Sequence, residues 1–488
     1  MQKIVFCFSI ALNAYVFVFF SHSRVKMINC VRLCAGGMFT FPLMSPSLAV
    51  HLKLTQTQLT TIILAGMMSQ YPIAVFVGWL IDQYGPSLCS FLAALMFVSG
   101  YTAFAWEVDA ISSGVFQSSP TTFYHLSFYF LLIGLGTVFS YCSSLFSASK
   151  IFPSNIGLAS GFSMALFGLS PLILSVLATS FFLDPMTGLL NVPAFANCLS
   201  VLSSVVYLGG CINFYRVPWP TPSATPVESS DLIGANFAES SPLLGPGRTE
   251  ASITRPLNPT AIELLALLDF WLLAIFCICV LGMSEMIISS IGTIVLSLPP
   301  TSIESLPKQH SAAFQVKLIS LANTISRIVV GPLADFISPL ATRSSSGVST
   351  FPRKHVISRF VFLSGAALLL ICTLLWTKLY VYYQNQLWVL SVGTGLSYST
   401  VFTVLLISSL WGIQDLGRNF GVMMYAPFTG TPLFSYVYAL VSVSHTNNGA
   451  GVCEGRSCWD LTMSLCVIAC IISLVLSFVL WKRWRGII

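Results

Sequence analysis

The chain has 488 residues, 55% hydrophobic and 8% charged, with a formal net charge of +6. A soluble domain carries about 25% charged residues, so the composition excludes a soluble protein and makes the bilayer the first partner of the chain. The positive excess is then a signal of membrane topology and gives no argument for nucleic acid.

The apolar stretches lack the alternation over about ten residues expected of an outer-membrane barrel, which leaves an all-α bundle. Residues 1–27 form an apolar extension behind Lys3. It reads as the apolar region of a signal peptide, as an extra spanning helix, or as an early part of the first helix. Runs of spanning length follow near 28–50, 59–81, 87–106, 123–147, 156–181 and 194–215. After a polar stretch at 216–263, six more lie near 269–297, 314–337, 358–377, 386–411, 420–444 and 460–481. The expected organisation is an amino-terminal six-helix half at 28–215, a cytosolic, disordered, Pro-rich linker at 216–263 and a carboxyl-terminal six-helix half with a short tail at 264–488.

Placing the linker and the carboxyl terminus in the cytosol puts fifteen Lys and Arg on that side against five opposite, namely Lys53, Lys308, Lys317, Lys378 and Arg456. The positive-inside rule therefore predicts that both ends of the twelve-helix core are cytosolic.

One local device occurs twice. The segment GWLIDQYG at 78–85 carries Gly78, Asp82 and Gly85, and GPLAD repeats it 253 residues later with Gly331 and Asp335. A glycine lets a neighbouring helix approach closely. A carboxylate just outside the apolar core can cap the positive start of that neighbour. Asp82 is expected to cap the eleventh helix near Arg418 and Asn419, and Asp335 the fifth near Lys150 and Ser154, as a conformational gate. GLGTVFS at 134–140 also matches GTGLSYS at 393–399, Gly157 and Gly161 match Gly417 and Gly421, and Pro171-Leu172 matches Pro432-Leu433. Such offsets describe two parallel six-helix repeats.

These segments resemble the loop motif of the major facilitator superfamily. The basic residues usual after the Asp are replaced here by Gln83, Pro86 and Ser87, which puts in doubt any salt bridge that depends on them. A closer likeness runs through RLCAGGMFTFPLMSPSLAVHLKLTQTQLTTI (32–62), DFWLLAIFCICVLGMSEMIISSIGTI (269–294), SRIVVGPLADFISP (326–339), NFGVMMYAPFTGTPLF (419–434) and the CEGRSC loop. It is similar to the fungal monocarboxylate-transporter-homologue branch, related to nodulin-like facilitators. The resemblance implies the major facilitator fold and a multi-pass transporter of the vacuolar membrane.

Transport requires polar groups on otherwise apolar helices near the bilayer midplane. Glu285 and Arg327 are the two ionisable side chains read as lying well inside predicted helices, with Asn323 one turn before Arg327 as a third candidate. Glu285 lies about 24 Å from the cytosolic end at 1.5 Å per residue. Burial there disfavours the charged carboxyl, so Glu285 can carry a proton or, alternatively, hold the bundle in register. Arg327 lies about 12 Å from the same end. It belongs either to the gate or to a site for an anionic solute, and the difference in depth gives it partners separate from those of Glu285.

Twelve of the fourteen cysteines lie in or beside apolar segments, where cysteine is a small hydrophobe. Cys453 and Cys458 are the candidates for a disulfide, given a loop that faces an oxidising compartment. In the linker, Glu239, Leu243 and Leu244 fit an acidic dileucine signal read by cytosolic sorting adaptors. No metal-ligand spacing, phosphate loop or nucleophile motif occurs, so neither a cofactor nor an enzyme is expected. The function expected is carriage of a small solute, such as a carboxylate-type metabolite, by alternating access, with protons as a candidate coupled ion. The rival is a transporter-like solute sensor without turnover.

Overall fold

The computed structural model describes residues 34–112, 120–151, 156–184, 189–215, 261–300, 308–337, 342–343, 349–350, 358–407, 421–446 and 453–484. The apolar extension at 1–27 and nearly all of the linker lie outside them, as do Arg418, Asn419, Glu239, Leu243 and Leu244.

A short 3-10 turn at Gly36–Thr40 leads into α1 at Phe41–His51, where Pro42 suits the first helical turn. α2, at Gln56–Tyr84, begins with a reciprocal cap. Gln58 N–H donates to Thr55 Oγ1 at 3.3 Å, and Thr55 N–H donates to Gln58 Oε1 at 2.9 Å. The helix stops because Gly85 takes a φ of 80° while its N–H still reaches Ile81 O, a conformation that glycine adopts without strain. Pro86 then opens α3 at Pro86–Ser112. α4 (Pro120–Ile151), α5 (Ile156–Phe181) and α6 (Val192–Tyr215) complete the first set.

The second set follows a short helix at Ala261–Ala266. It consists of α7 (Leu268–Ser297), α8 (Lys308–Ile337), α9 (Phe360–Tyr380), α10 (Trp388–Ile407), α11 (Tyr425–Ser444) and α12 (Asp460–Trp484). A two-residue antiparallel pair, Thr342–Arg343 with Ser349–Thr350, lies between α8 and α9. Over the described residues, each predicted apolar run overlaps one of these helices. Among the described residues, nine helices are long and apolar enough to cross a membrane. The other three are eleven-residue α1, α2, and α11 with its run of Thr and Ser.

The packing repeats itself. α2 packs on α4, α3 on α4 and α3 on α6, and the same pairs recur six helices later as α8 on α10, α9 on α10 and α9 on α12. Between the sets, α2 meets α11, α5 meets α8 and α1 meets α7. α2–α11 and α5–α8 exchange when the two sets are swapped, which is the two-fold relation of parallel repeats. α7 lies at the centre, with Val280 through Ile287 and Ser289 through Leu298 all buried. A helix enclosed on all sides cannot be amphipathic.

Glycine permits the closest approaches. A Cβ on Gly134 would sit 2.0 Å from Gly66 O between α4 and α2, one on Gly282 would sit 2.5 Å from the Gly430 carbonyl carbon between α7 and α11, and one on Gly292 would sit 2.0 Å from Pro42 O between α7 and α1. Gly78 departs from expectation, because a Cβ there meets nothing within 4 Å among the described residues. In this conformation the first motif glycine is not a packing contact.

The structure also corrects the count of intramembrane charges. The helix expected to stop near residue 106 continues to Ser112 and buries Glu107, whose Oε1 lies 3.0 Å from His125 Nδ1 on α4. Lys317, counted on the side opposite the linker, lies within the apolar part of α8, where it donates to Thr179 Oγ1 on α5 at 3.1 Å. In each case a neighbouring helix supplies the partner. At the end opposite the linker, Cys453 and Cys458 are joined as a disulfide. The Arg456 guanidinium between them in sequence stacks over Tyr382 at 4.2 Å.

Replacing Gly134 with Ala should lower the thermal stability of the purified protein, at a cost of about 1–3 kcal/mol for overpacking. Gly78→Ala should leave it unchanged or raise it, since glycine is about 1 kcal/mol worse than alanine within a helix. Parallel melting curves in one detergent give the comparison.

Candidate functional site

Glu285 sits on the buried stretch of α7 and is 2% exposed. Three hydroxyls from three helices serve its carboxylate. Tyr71 on α2 donates to Oε1 at 2.6 Å, Tyr398 on α10 donates to the same oxygen at 3.1 Å, and Thr431 on α11 donates to Oε2 at 2.6 Å. Tyr71 belongs to the first helix set and the other two to the second, so the carboxylate ties the sets together.

Arg327 on α8 is 3% exposed. Its Nη1 donates to Met164 O on α5 at 2.7 Å, and its guanidinium lies 5.4 Å from the centre of the Phe402 ring. Among the described residues its Nε has no hydrogen-bond partner, nor has Asn323 Oδ1 one turn earlier. Among the described residues no ion pair joins Arg327 to Glu285, and the two have separate partners. Tyr398 stands between them, bonding Glu285 while lining the same cavity as Arg327.

That cavity lies between the helix sets. Arg327, Asn323, Ser320 and Tyr398 contribute its polar groups, and Phe39, Phe167, Pro171, Ile288, Val316 and Ile319 its apolar walls. Its volume, measured at the centres of water-sized spheres, is about 40 Å³, against the roughly 10–15 Å³ that one water needs. A small polar solute enters it only with movement of the walls.

α5 carries Pro171 beside the cavity, which removes one donor from its ladder without ending the helix. Ser320 of α8 fills the break. Its Oγ accepts from Leu172 N–H at 3.0 Å and donates to Gly168 O at 2.5 Å, the two groups that one helical turn would join to each other. Toward the end opposite the linker the seam is held further by Ser175 Oγ to Ala313 O at 3.4 Å and by the Thr61 and Tyr436 hydroxyls at 3.1 Å.

The sequence candidates are thus sorted. Glu285, Arg327 and Asn323 converge on the seam between the helix sets. Gly85 ends α2. The side chains of Asp82, Asp335 and Lys150 and the whole of Ser154, Arg418 and Asn419 lie outside the described residues.

Tyr71, Tyr398, Thr431 and Ser320 were not identified from sequence. Comparison of the repeats held a usable signal for two of them. In the GLGTVFS and GTGLSYS match, Phe139 stands where Tyr398 stands, so one copy carries a hydroxyl that the other lacks. Thr431 precedes Pro432 as Ser170 precedes Pro171, and the two hydroxyls do related work. Thr431 reaches α7, while Ser170 Oγ accepts from Gly36 N–H just before α1 at 3.0 Å.

Residues 25–213 match the family model described as Nodulin-like. The chain is 27% identical to the protein named "Probable transporter MCH1" of Gibberella zeae, over 89% of this chain and 83% of that one. The protein of the same name from Debaryomyces hansenii is 26% identical, over 94% and 91%. Among solved structures, the nucleoside transporter NupG superposes with a TM-score of 0.60 at 11% identity, covering 95% of this chain and 99% of that one. The inward-open xylose transporter XylE from E. coli gives 0.57 at 12% identity, with 98% and 96% covered. The fold is the major facilitator fold, and the chain is similar over most of its length to the MCH1 proteins.

Ser320→Ala should remove the hydroxyl bridge and leave Leu172 N–H and Gly168 O to bond each other, at a net cost of about 0.5–1.5 kcal/mol for the hydrogen bonds lost. A thermal melt of the variant in detergent should show that loss, and Ser320→Thr should restore part of it.

Proposed function

We propose that this protein carries a small anionic solute, of carboxylate type, across the vacuolar membrane by alternating access between its two helix sets. The observation that carries the reading is Arg327. A buried guanidinium with one carbonyl partner and an unpaired Nε at the wall of an inter-set cavity is an incomplete electrostatic arrangement. Intramembrane charges of this kind mark substrate paths. An anion completes it, because a carboxylate meets a guanidinium with charge-assisted hydrogen bonds. The apolar walls limit the solute to one with a compact non-polar body beside its charged group.

Alternating access is supported by the pattern of seam contacts. Among the described residues, the hydroxyl bonds just given run from the level of Glu285 to the end opposite the linker, while nothing lies within 4 Å of a Cβ on Gly78, toward the linker end of α2. Rocking of one set against the other about the Glu285 level would release the first group of contacts and close the second region. Asp82 and Asp335, at the linker ends of α2 and α8, are the gate residues of that second closure.

The vacuolar assignment draws on the kinship with the MCH1 proteins and on the linker signal at Glu239, Leu243 and Leu244. With the linker in the cytosol, that signal is open to sorting adaptors, and both ends of the twelve-helix core are cytosolic.

In proteoliposomes, uptake of a carboxylate should fall by at least an order of magnitude in Arg327→Gln and recover partly in Arg327→Lys, which keeps the charge but loses the planar fork. Uptake indifferent to both changes would remove the anion site, and absence of flux with retained binding would favour a sensor. Replacing Leu243 and Leu244 with Ala should divert a fluorescently tagged copy from the vacuolar membrane, and unchanged targeting would set the linker signal aside.

A further inference from the structure

We propose that Tyr398 links occupancy of the cavity to protonation of Glu285, so that the anion moves together with a proton. The inference rests on the anion reading of Arg327. A phenol has a single hydrogen to donate. Tyr398 spends it on Glu285 Oε1 at 3.1 Å, although its side chain also forms part of the cavity wall beside Arg327. Tyr71 and Thr431 hold Glu285 at 2.6 Å each and do not line the cavity. Tyr398 is therefore the longest of the three contacts and the one that a solute can reach.

An anion drawn to the unpaired Nε of Arg327 offers Tyr398 a second acceptor. Once the phenol turns to the anion, Oε1 keeps Tyr71 alone, and the carboxylate has lost one of the donors that stabilised its charge. Glu285 then binds one proton from the water on the side to which the cavity is open. A single O–H bond forms and nothing is oxidised or reduced. When the cavity opens to the other side and the anion leaves, Tyr398 returns to Oε1 and the proton departs to that side.

The groups around Glu285 leave it as the one that titrates. α2 contributes Tyr71, α10 contributes Tyr398 and α11 contributes the Thr431 hydroxyl, while Arg327 of α8 and Tyr141 of α4 act on Tyr398. Phenols and guanidinium keep their protons at neutral pH. The protonated carboxyl also holds Tyr71 more weakly than the carboxylate does, since hydrogen bonds to an ionised acceptor are the stronger ones. The bond between α2 and α7 is thereby loosened when both solute and proton are aboard.

The test uses purified full-length protein in weakly buffered detergent solution with a pH-indicator dye. Sodium lactate, sodium malate and sodium phosphate are added singly. The wild type should take up close to one proton per anion bound, and by reciprocity the anion should bind about tenfold more tightly for each unit fall in pH over the working range. In Tyr398→Phe the anion should bind a few-fold more weakly, still in dependence on Arg327, and proton uptake should fall to near zero. Tyr438→Phe, which removes a buried phenol on α11 that bonds Thr293 instead, should keep the uptake. Proton uptake that persists in Tyr398→Phe, or anion binding without proton uptake in the wild type, overturns the link and leaves the anion site standing. If no anion stabilises the wild type against heat in a manner that Arg327→Gln abolishes, the anion reading fails, and the link fails with it. Should Tyr398→Phe not fold, infrared difference spectra of the wild type decide the matter. A protonated-carboxyl band must appear on anion addition and be absent from Glu285→Gln, and its failure to appear overturns the link.

Discussion

A carboxylate placed in the middle of a membrane protein has no water to turn to, and its oxygens must be met by donors from the protein itself. Glu285 meets that demand with Tyr71, Tyr398 and Thr431, and much of the surrounding architecture follows from it. α2 of the first helix set and α10 and α11 of the second must all approach α7 at one level. The glycine pair Gly282 and Gly430 brings α7 and α11 close enough for Thr431 to reach the carboxylate. The burial of α7 from Val280 onward is the packing consequence of its serving as the common partner.

The same requirement shapes the α5–α8 contact. Pro171 opens the ladder of α5, and the exposed groups are satisfied by Ser320 from the other helix set. A helix completed by its neighbour is a joint that can be remade. Parting the two helices costs the hydroxyl bridge, yet Leu172 N–H and Gly168 O can bond each other directly in its place. Breaks of this kind suit a protein whose parts must separate and rejoin, since each conformation can then satisfy its polar groups.

Glu285 and Arg327 differ in a way that separates support from recognition. Glu285 has three strong donors for its two oxygens, while Arg327 has one carbonyl, one aromatic face and an idle Nε. A saturated charge holds structure together. An unsaturated one at a cavity wall holds a place for a ligand. Tyr398 touches both, and that shared contact makes communication between them physically available.

The sequence alone determined the class of the protein and its helix layout. Long apolar runs in a chain with so few charges have no stable place except in lipid, and the duplicated glycines, prolines and Asp motif fixed the order of the repeats. The same scarcity of charge made Glu285 and Arg327 visible. Glu107 was missed because the apolar run was ended at that charge, while a helix continues wherever a neighbour can pair with it. Tyr71, Tyr398, Thr431 and Ser320 look like ordinary residues in apolar helices, and only the tertiary structure gives them partners more than a hundred residues away. It also decided that, among the described residues, Gly78 has no close neighbour while Gly134 and Gly282 are tightly packed. Helix formation depends on neighbours in the chain, but satisfying a buried charge depends on which helices the fold brings side by side.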